Sequence, residues 1–144
     1  MIMMTASLLS TMSESVAELA DWAARPSSPP PFRERFEFSA RKREASCMLH
    51  KYPDRVPVIV EISKTSSLFL DKMKYLVPAD TTVGQFMFII RRRMRLDEGK
   101  ALFLFFSTRK ILVPTSMTIS RAHHDYKDPD EFLYMTLCEE NTFG

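Results

Sequence analysis

Glycine is scarce in this 144-residue chain, with only Gly84, Gly99 and Gly144 present. A phosphate-cradling loop needs several glycines close together so that backbone N–H groups can approach an anion, and no such cluster exists. Cysteine is limited to Cys47 and Cys138. Their distance in sequence fits neither a disulfide framework nor a metal-ligand spacing, which points to a reducing, cytoplasmic compartment and to no zinc. Long apolar runs are also missing. None approaches the roughly 18 residues that span a bilayer, so any membrane role requires an attachment. The first twelve residues are apolar and hydroxyl-rich, but they lack a basic start and acids follow at once, which argues against a signal or transit peptide.

What is present is the composition of one ordinary globular domain, 45% apolar and 26% charged, with enough chain to bury a core. The net charge of +2 is unevenly placed. Residues 1–31 hold Glu14, Glu18 and Asp21 against Arg25, a net −2, which leaves +4 on the remainder. A modestly basic body behind an acidic leader suits acidic partners without requiring nucleic acid. Pro26-Ser27-Ser28-Pro29-Pro30-Pro31 is a stiff, extended connector and sets the expected boundary between a leader, 1–31, and a domain, 32–144. Within the leader, residues 13–24 have the pattern of a short helix, with Ser13 as N-cap.

After the connector, the charged run 32–51 predicts a mostly exposed helix starting at Ser39. Tyr52-Pro53-Asp54 is turn chemistry. Arg55 to Ile62 alternates β-branched residues and is apolar on both faces, so it predicts a strand covered on both sides, with Pro57 where no ladder N–H is needed. A second strand over 71–78 stops at Pro78. Thr82 and Gln85 form a capping box for a helix whose buried stripe is Val83, Phe86, Met87, Ile89 and Ile90 and whose last turn is rich in arginine. Ala101 to Phe106 predicts a strand buried on both faces, and Ile111 to Val113 a short return strand. A helical turn follows, and Phe132 to Cys138 is the last strand. This order suits an α+β domain, one mixed sheet wrapped around one main helix.

Three chemical constellations are weak. His123-His124-Asp125 has no further His or Cys nearby in sequence and is expected to be a loop pair, with no metal. A Cys47 nucleophile assisted by these histidines lacks any nucleophile motif, and packing is the better account. The aromatic run 103–106 lacks the glycines of RNA-recognition modules and predicts plain core. The terminal Phe143-Gly144 is different: a residue without Cβ can thread a narrow enzyme channel and leave its carbonyl open to attack.

Lys51-Tyr52-Pro53-Asp54-Arg55-Val56-Pro57-Val58-Ile59-Val60-Glu61 strongly resembles the autophagy-related ubiquitin-like modifiers, the family of microtubule-associated light chain three and the GABA type A receptor-associated protein. The likeness continues through Lys74 to Asp80, Thr82 to Phe86, Phe132 to Thr136 and Glu140 to Gly144. It covers about residues 32–144 and leaves the leader outside. The resemblance implies a ubiquitin-like β-grasp with two extra N-terminal helices. It also implies a modifier without catalytic residues or cofactor, whose Gly144 is joined by activating and carrier enzymes to phosphatidylethanolamine of the autophagosome membrane and released by a cysteine protease. The protein is then expected in the cytoplasm, and on the autophagosome membrane when lipidated. Because nothing follows Gly144 in the sequence, no prior proteolytic maturation is expected.

The resemblance further implies capture of cargo-receptor peptides of the form aromatic-x-x-aliphatic as an added strand along the second strand. By matching positions, the aromatic pocket is Glu44, Met48, Pro57, Ile59, Lys74, Leu76 and Phe132. The aliphatic pocket is Tyr75, Val77, Pro78, Phe86, Ile89 and Arg93. Thr81 stands where the family usually has an apolar residue, and the 107–111 turn is longer and more basic than usual. The leader is expected to fold back over the groove through its helix or the Trp22 region. The alternative to conjugation is a peptide- or tubulin-binding interaction domain.

Overall fold

The computed structural model describes residues 2–3, 30–64, 66, 68–94, 96 and 99–139. Its strands are β1 (Ile2–Met3), β2 (Arg55–Ile62), β3 (Lys74–Pro78), β4 (Leu102–Phe106), β5 (Ile111–Leu112) and β6 (Leu133–Glu139). Its helices are α1 (Phe32–Arg35), α2 (Phe38–Lys51), α3 (Val83–Met94) and α4 (Ile119–Tyr126). The six strands form one mixed sheet in the order β1-β3-β2-β6-β4-β5. The long strands β2 and β6 run parallel at its centre, and β3 and β4 flank them antiparallel.

Period-two alternation divides the side chains between two layers. Val56, Val58 and Val60 of β2, Tyr75 and Val77 of β3, and Leu133, Met135 and Leu137 of β6 face the main core, which α3 closes with Val83, Phe86 and Ile90 and α4 with Ile119 and Ala122. On the opposite face, Ile59, Phe132 and Tyr134 meet Phe32 of α1 and Ala45 of α2. Both sides of β2 are therefore buried, as its apolar pattern predicts. The continuous apolar run of β4 behaves differently. Leu102, Leu104 and Phe106 are buried while Phe103 and Phe105 are only half-buried, because the second cluster contains no β4 residue.

The capping box opens α3 as expected: Gln85 N–H donates to Thr82 Oγ1 at 3.2 Å, and Thr82 N–H donates to Gln85 Oε1 at 2.9 Å. Gly84 follows at a close crossing. A Cβ there would lie 3.3 Å from the carbonyl oxygen of Thr115, which already accepts the Gly84 N–H. The two N-terminal helices implied by the resemblance are present, separated by extended Phe36. The charged run by itself predicts one helix from Ser39, whereas α2 starts after Glu37 with Ser39 inside its first turn. Arg41, expected on an exposed surface, is buried: its guanidinium meets Asp130 at 2.7 Å and also donates to the Tyr134 hydroxyl and the Phe36 carbonyl. A buried carboxylate from distant sequence draws it inward. The strand expected from residue 71 begins only at Lys74, and the last strand runs one residue further, to Glu139. The expected helix over 13–24 lies outside the described residues.

Candidate peptide-docking edge and modifier surface

Strand β3 lies between β2 and the two-residue β1. Its register with β2 pairs Val58 with Tyr75, Pro57 with Leu76 and Val56 with Val77. In an antiparallel ladder, opposed residues alternate between pairs that exchange hydrogen bonds and pairs that do not. Pro57 has no N–H to give, so Pro57 and Leu76 fall on a non-exchanging pair. The bond from Val60 N–H to the Met73 carbonyl at 2.8 Å fits the same phase. Lys74 and Leu76 consequently turn their backbone N–H and C=O groups away from β2, toward the outer side. One proline thus marks the hydrogen-bond phase of the neighbouring strand.

The side chains of β3 divide as the spacing predicts. Tyr75 and Val77 enter the main core, where the Tyr75 ring meets Phe86 edge-on at 5.6 Å. Lys74, on the other face, pairs with Glu44 of α2 at 2.8 Å, and its ammonium lies 5.9 Å from the centre of the Phe32 ring. Of the residues assigned to the aromatic pocket, Pro57, Ile59, Leu76 and Phe132 are buried and Glu44, Met48 and Lys74 are half-buried. Of those assigned to the aliphatic pocket, Tyr75, Val77 and Phe86 are buried, while Pro78, Ile89 and Arg93 are half-buried. Each set therefore combines a packed floor with a partly exposed rim. Arg93 at the second rim pairs with Asp71 at 2.6 Å.

The α2 layer is positioned by a buried polar cluster that sequence inspection missed. Asp130 is fully buried and accepts from Arg41 Nη1 at 2.7 Å, from the Phe132 N–H at 2.9 Å and from the Tyr134 hydroxyl. Burial first, and then the bond to Asp130, holds the Tyr134 phenol strongly protonated. Burial opposes the charge on Arg41, but Tyr134 and Asp130 more than offset it and raise its pKa. No local pattern marks these residues, since 89 positions separate Arg41 from Asp130. Met73, which packs beside the α2-side cluster, was also missed.

His123 and His124 lie on α4 and not in a loop as expected, because Thr118 caps a helix there and accepts the Arg121 N–H. His123 Nε2 bonds the Glu131 carbonyl at 2.8 Å, and burial lowers its pKa. His124 and Arg121 both bond Asp125 and hold its carboxyl below the usual range. Among the described residues no hydrogen bond joins either imidazole to Cys47, which is exposed, and no group of side chains forms a metal site. Cys138 is buried on β6, and burial pushes its thiol pKa up. Gly144 lies outside the described residues.

The family model described as "Autophagy protein Atg8 ubiquitin like" matches residues 40–144. The chain belongs to the Atg8 family of ubiquitin-like autophagy proteins. Among its Atg8 relatives, autophagy-related protein 8 of Schizosaccharomyces pombe is 46% identical over 114 residues, covering 78% of this chain and 93% of the relative. The same protein of Coccidioides immitis is 46% identical over 114 residues, with 78% and 96% covered. The crystal structure of Trypanosoma brucei ATG8 superimposes with a TM-score of 0.74 at 36% identity, covering 81% of this chain and all of that one. The ubiquitin-like fold expected of the Atg8 family is the one observed. No helix among the described residues is long and apolar enough to cross a membrane.

Proposed function

We propose that this Atg8-family chain is a modifier and adaptor of autophagy, joined through Gly144 to phosphatidylethanolamine and binding cargo-receptor peptides along β3. A free carboxylate is a poor acyl donor at neutral pH. An activating enzyme adenylates it with ATP and releases pyrophosphate, and a cysteine thiolate then displaces AMP to form a thioester. After passage to a carrier enzyme, the lipid amine displaces the thiolate and an amide forms. Such a covalent anchor explains membrane work by a chain whose described residues form no spanning helix. All catalytic groups belong to partner enzymes, including the cysteine protease that reverses the linkage. This chain supplies a recognised shape and a C-terminal tail, and the reaction requires no cofactor or metal held by it. On this reading residues 32–144 are the modifier domain and 1–31 a separate leader, and the protein divides between cytoplasm and autophagosome membrane.

The observation that carries the adaptor half is the phase of β3: Lys74 and Leu76 offer main-chain groups outward, between a rim formed with Glu44 of α2 on one face and the half-buried Ile89 and Arg93 of α3 on the other. An extended peptide can bond that edge and send alternate side chains to opposite faces. The test of the conjugation half is incubation with matching activating and carrier enzymes, ATP and phosphatidylethanolamine liposomes. A faster-migrating lipidated band is expected from the native chain and none from Gly144→Ala. An equal band from both would refute the assignment of Gly144.

A further inference from the structure

The docking edge of β3 is already paired in this chain. Ile2 lies opposite Tyr75 and Met3 opposite Leu76, in parallel. The first residues of the chain thus pair with the sheet edge, while the helix and the Trp22 region expected to fold back lie outside the described residues. A strand edge accepts one partner at a time, because an added strand occupies the position about 4.8 Å away and uses the outward main-chain groups. We propose that Ile2–Met3 is an intramolecular competitor for the peptide-docking edge, so that this chain binds a motif peptide only when β1 has left β3. The proposal rests on the adaptor function argued above.

The geometry favours a weak and reversible block. β1 is two residues long, far shorter than the strands that hold the sheet. The tether is ample: 26 residues lie between Met3 and Pro30, with an extended reach of roughly 90 Å, several times the ~15 Å radius of gyration of a domain this size. A tether that can span the distance gives an effective concentration on the order of 1 mM. If the segment alone would bind with a dissociation constant of ~0.1–1 mM, closed forms outnumber open ones by about one to ten, and apparent peptide affinity falls about two- to tenfold. Such a device sets a threshold for partners without abolishing their binding.

The test compares the full native chain with the full-length double variant Ile2→Pro, Met3→Pro. Proline removes ladder N–H groups and disfavours strand pairing, without touching the body of the domain. The probe is a fluorescein-labelled synthetic peptide carrying an aromatic-x-x-aliphatic motif, titrated by anisotropy. Amide exchange is followed by NMR at Leu76 and, as a control for folding, at Val58 in the sheet centre. Tighter binding by the variant, about two- to tenfold, with faster exchange at Leu76 and unchanged exchange at Val58, is expected. Equal affinity of the two chains for the peptide overturns the competitor proposal and leaves the docking edge standing. If neither chain binds the peptide, the adaptor function fails and the proposal falls with it.

Discussion

Asp130→Ala removes the acceptor on which the α2 layer is anchored, and its consequence can be worked from three contacts. Arg41 loses its 2.7 Å partner, the Phe132 N–H loses its 2.9 Å acceptor, and the Tyr134 hydroxyl loses the carboxylate it donates to. A buried charge stripped of its partner costs about 3–5 kcal/mol, and a buried donor left unmade costs about 1–3 kcal/mol. The contributions overlap, because Arg41 and Tyr134 can re-pair with each other. A loss of about 4 kcal/mol is expected, a large share of the ~5–15 kcal/mol typical of a domain. Arg41→Met should cost less, about 3 kcal/mol, since Asp130 keeps two of its donors. Combining Arg41→Met with Asp130→Ala should recover at least about 2 kcal/mol relative to the summed single losses, because an apolar replacement removes both desolvated charges together. Urea unfolding followed by tryptophan-independent circular dichroism measures the three variants. Because α2 carries Glu44 and Met48, peptide titration should show weaker binding by Asp130→Ala even where the protein remains folded. Single losses below about 1 kcal/mol, or strictly additive ones, would refute the account of this cluster as the anchor of α2.

Leu76→Ala truncates a buried side chain on the docking strand. It should lower stability by about 2–4 kcal/mol and weaken motif-peptide binding at least tenfold below the temperature of unfolding; undiminished affinity in the folded variant would remove Leu76 from the docking surface. His123 is held below its ordinary pKa by burial, so the unfolded chain binds a proton more readily than the folded one. Its contribution is complete above about pH 6.5 and is lost as pH falls toward the folded pKa, with a slope of at most about 1.4 kcal/mol per pH unit. His123→Gln should flatten the stability profile between about pH 7.5 and 5.5, and superimposable profiles for native and variant chains would count against this.

Much of the architecture is legible in local chemistry. The two-faced apolarity of residues 55–62 announces a central strand, and Thr82 with Gln85 announces the start of α3; both signals work because strand alternation and helix capping involve neighbours within a few residues. The split of Lys74 and Leu76 from Tyr75 and Val77 is equally local. Other features were hidden. Arg41 has the surroundings of a solvated helix face, and only Asp130, brought in by β6, turns it into a buried anchor. Residues 101–106 promise burial on both sides, yet Phe103 and Phe105 stay half-buried because the second layer does not extend to β4.

The division falls between what a residue's neighbours decide and what its distant partners decide. By itself the sequence determined the order of the elements from α2 to β6, the two-sided burial of β2, the division of β3's side chains between two faces and, through its motifs, the Atg8 family. Only the tertiary structure decided that Arg41 and Asp130 clamp α2 to the sheet and that Ile2–Met3 pairs with the edge of β3. A two-residue strand has too few positions to show a period of two, and a buried ion pair carries no local signature. Both exist only once the sheet has brought remote segments together.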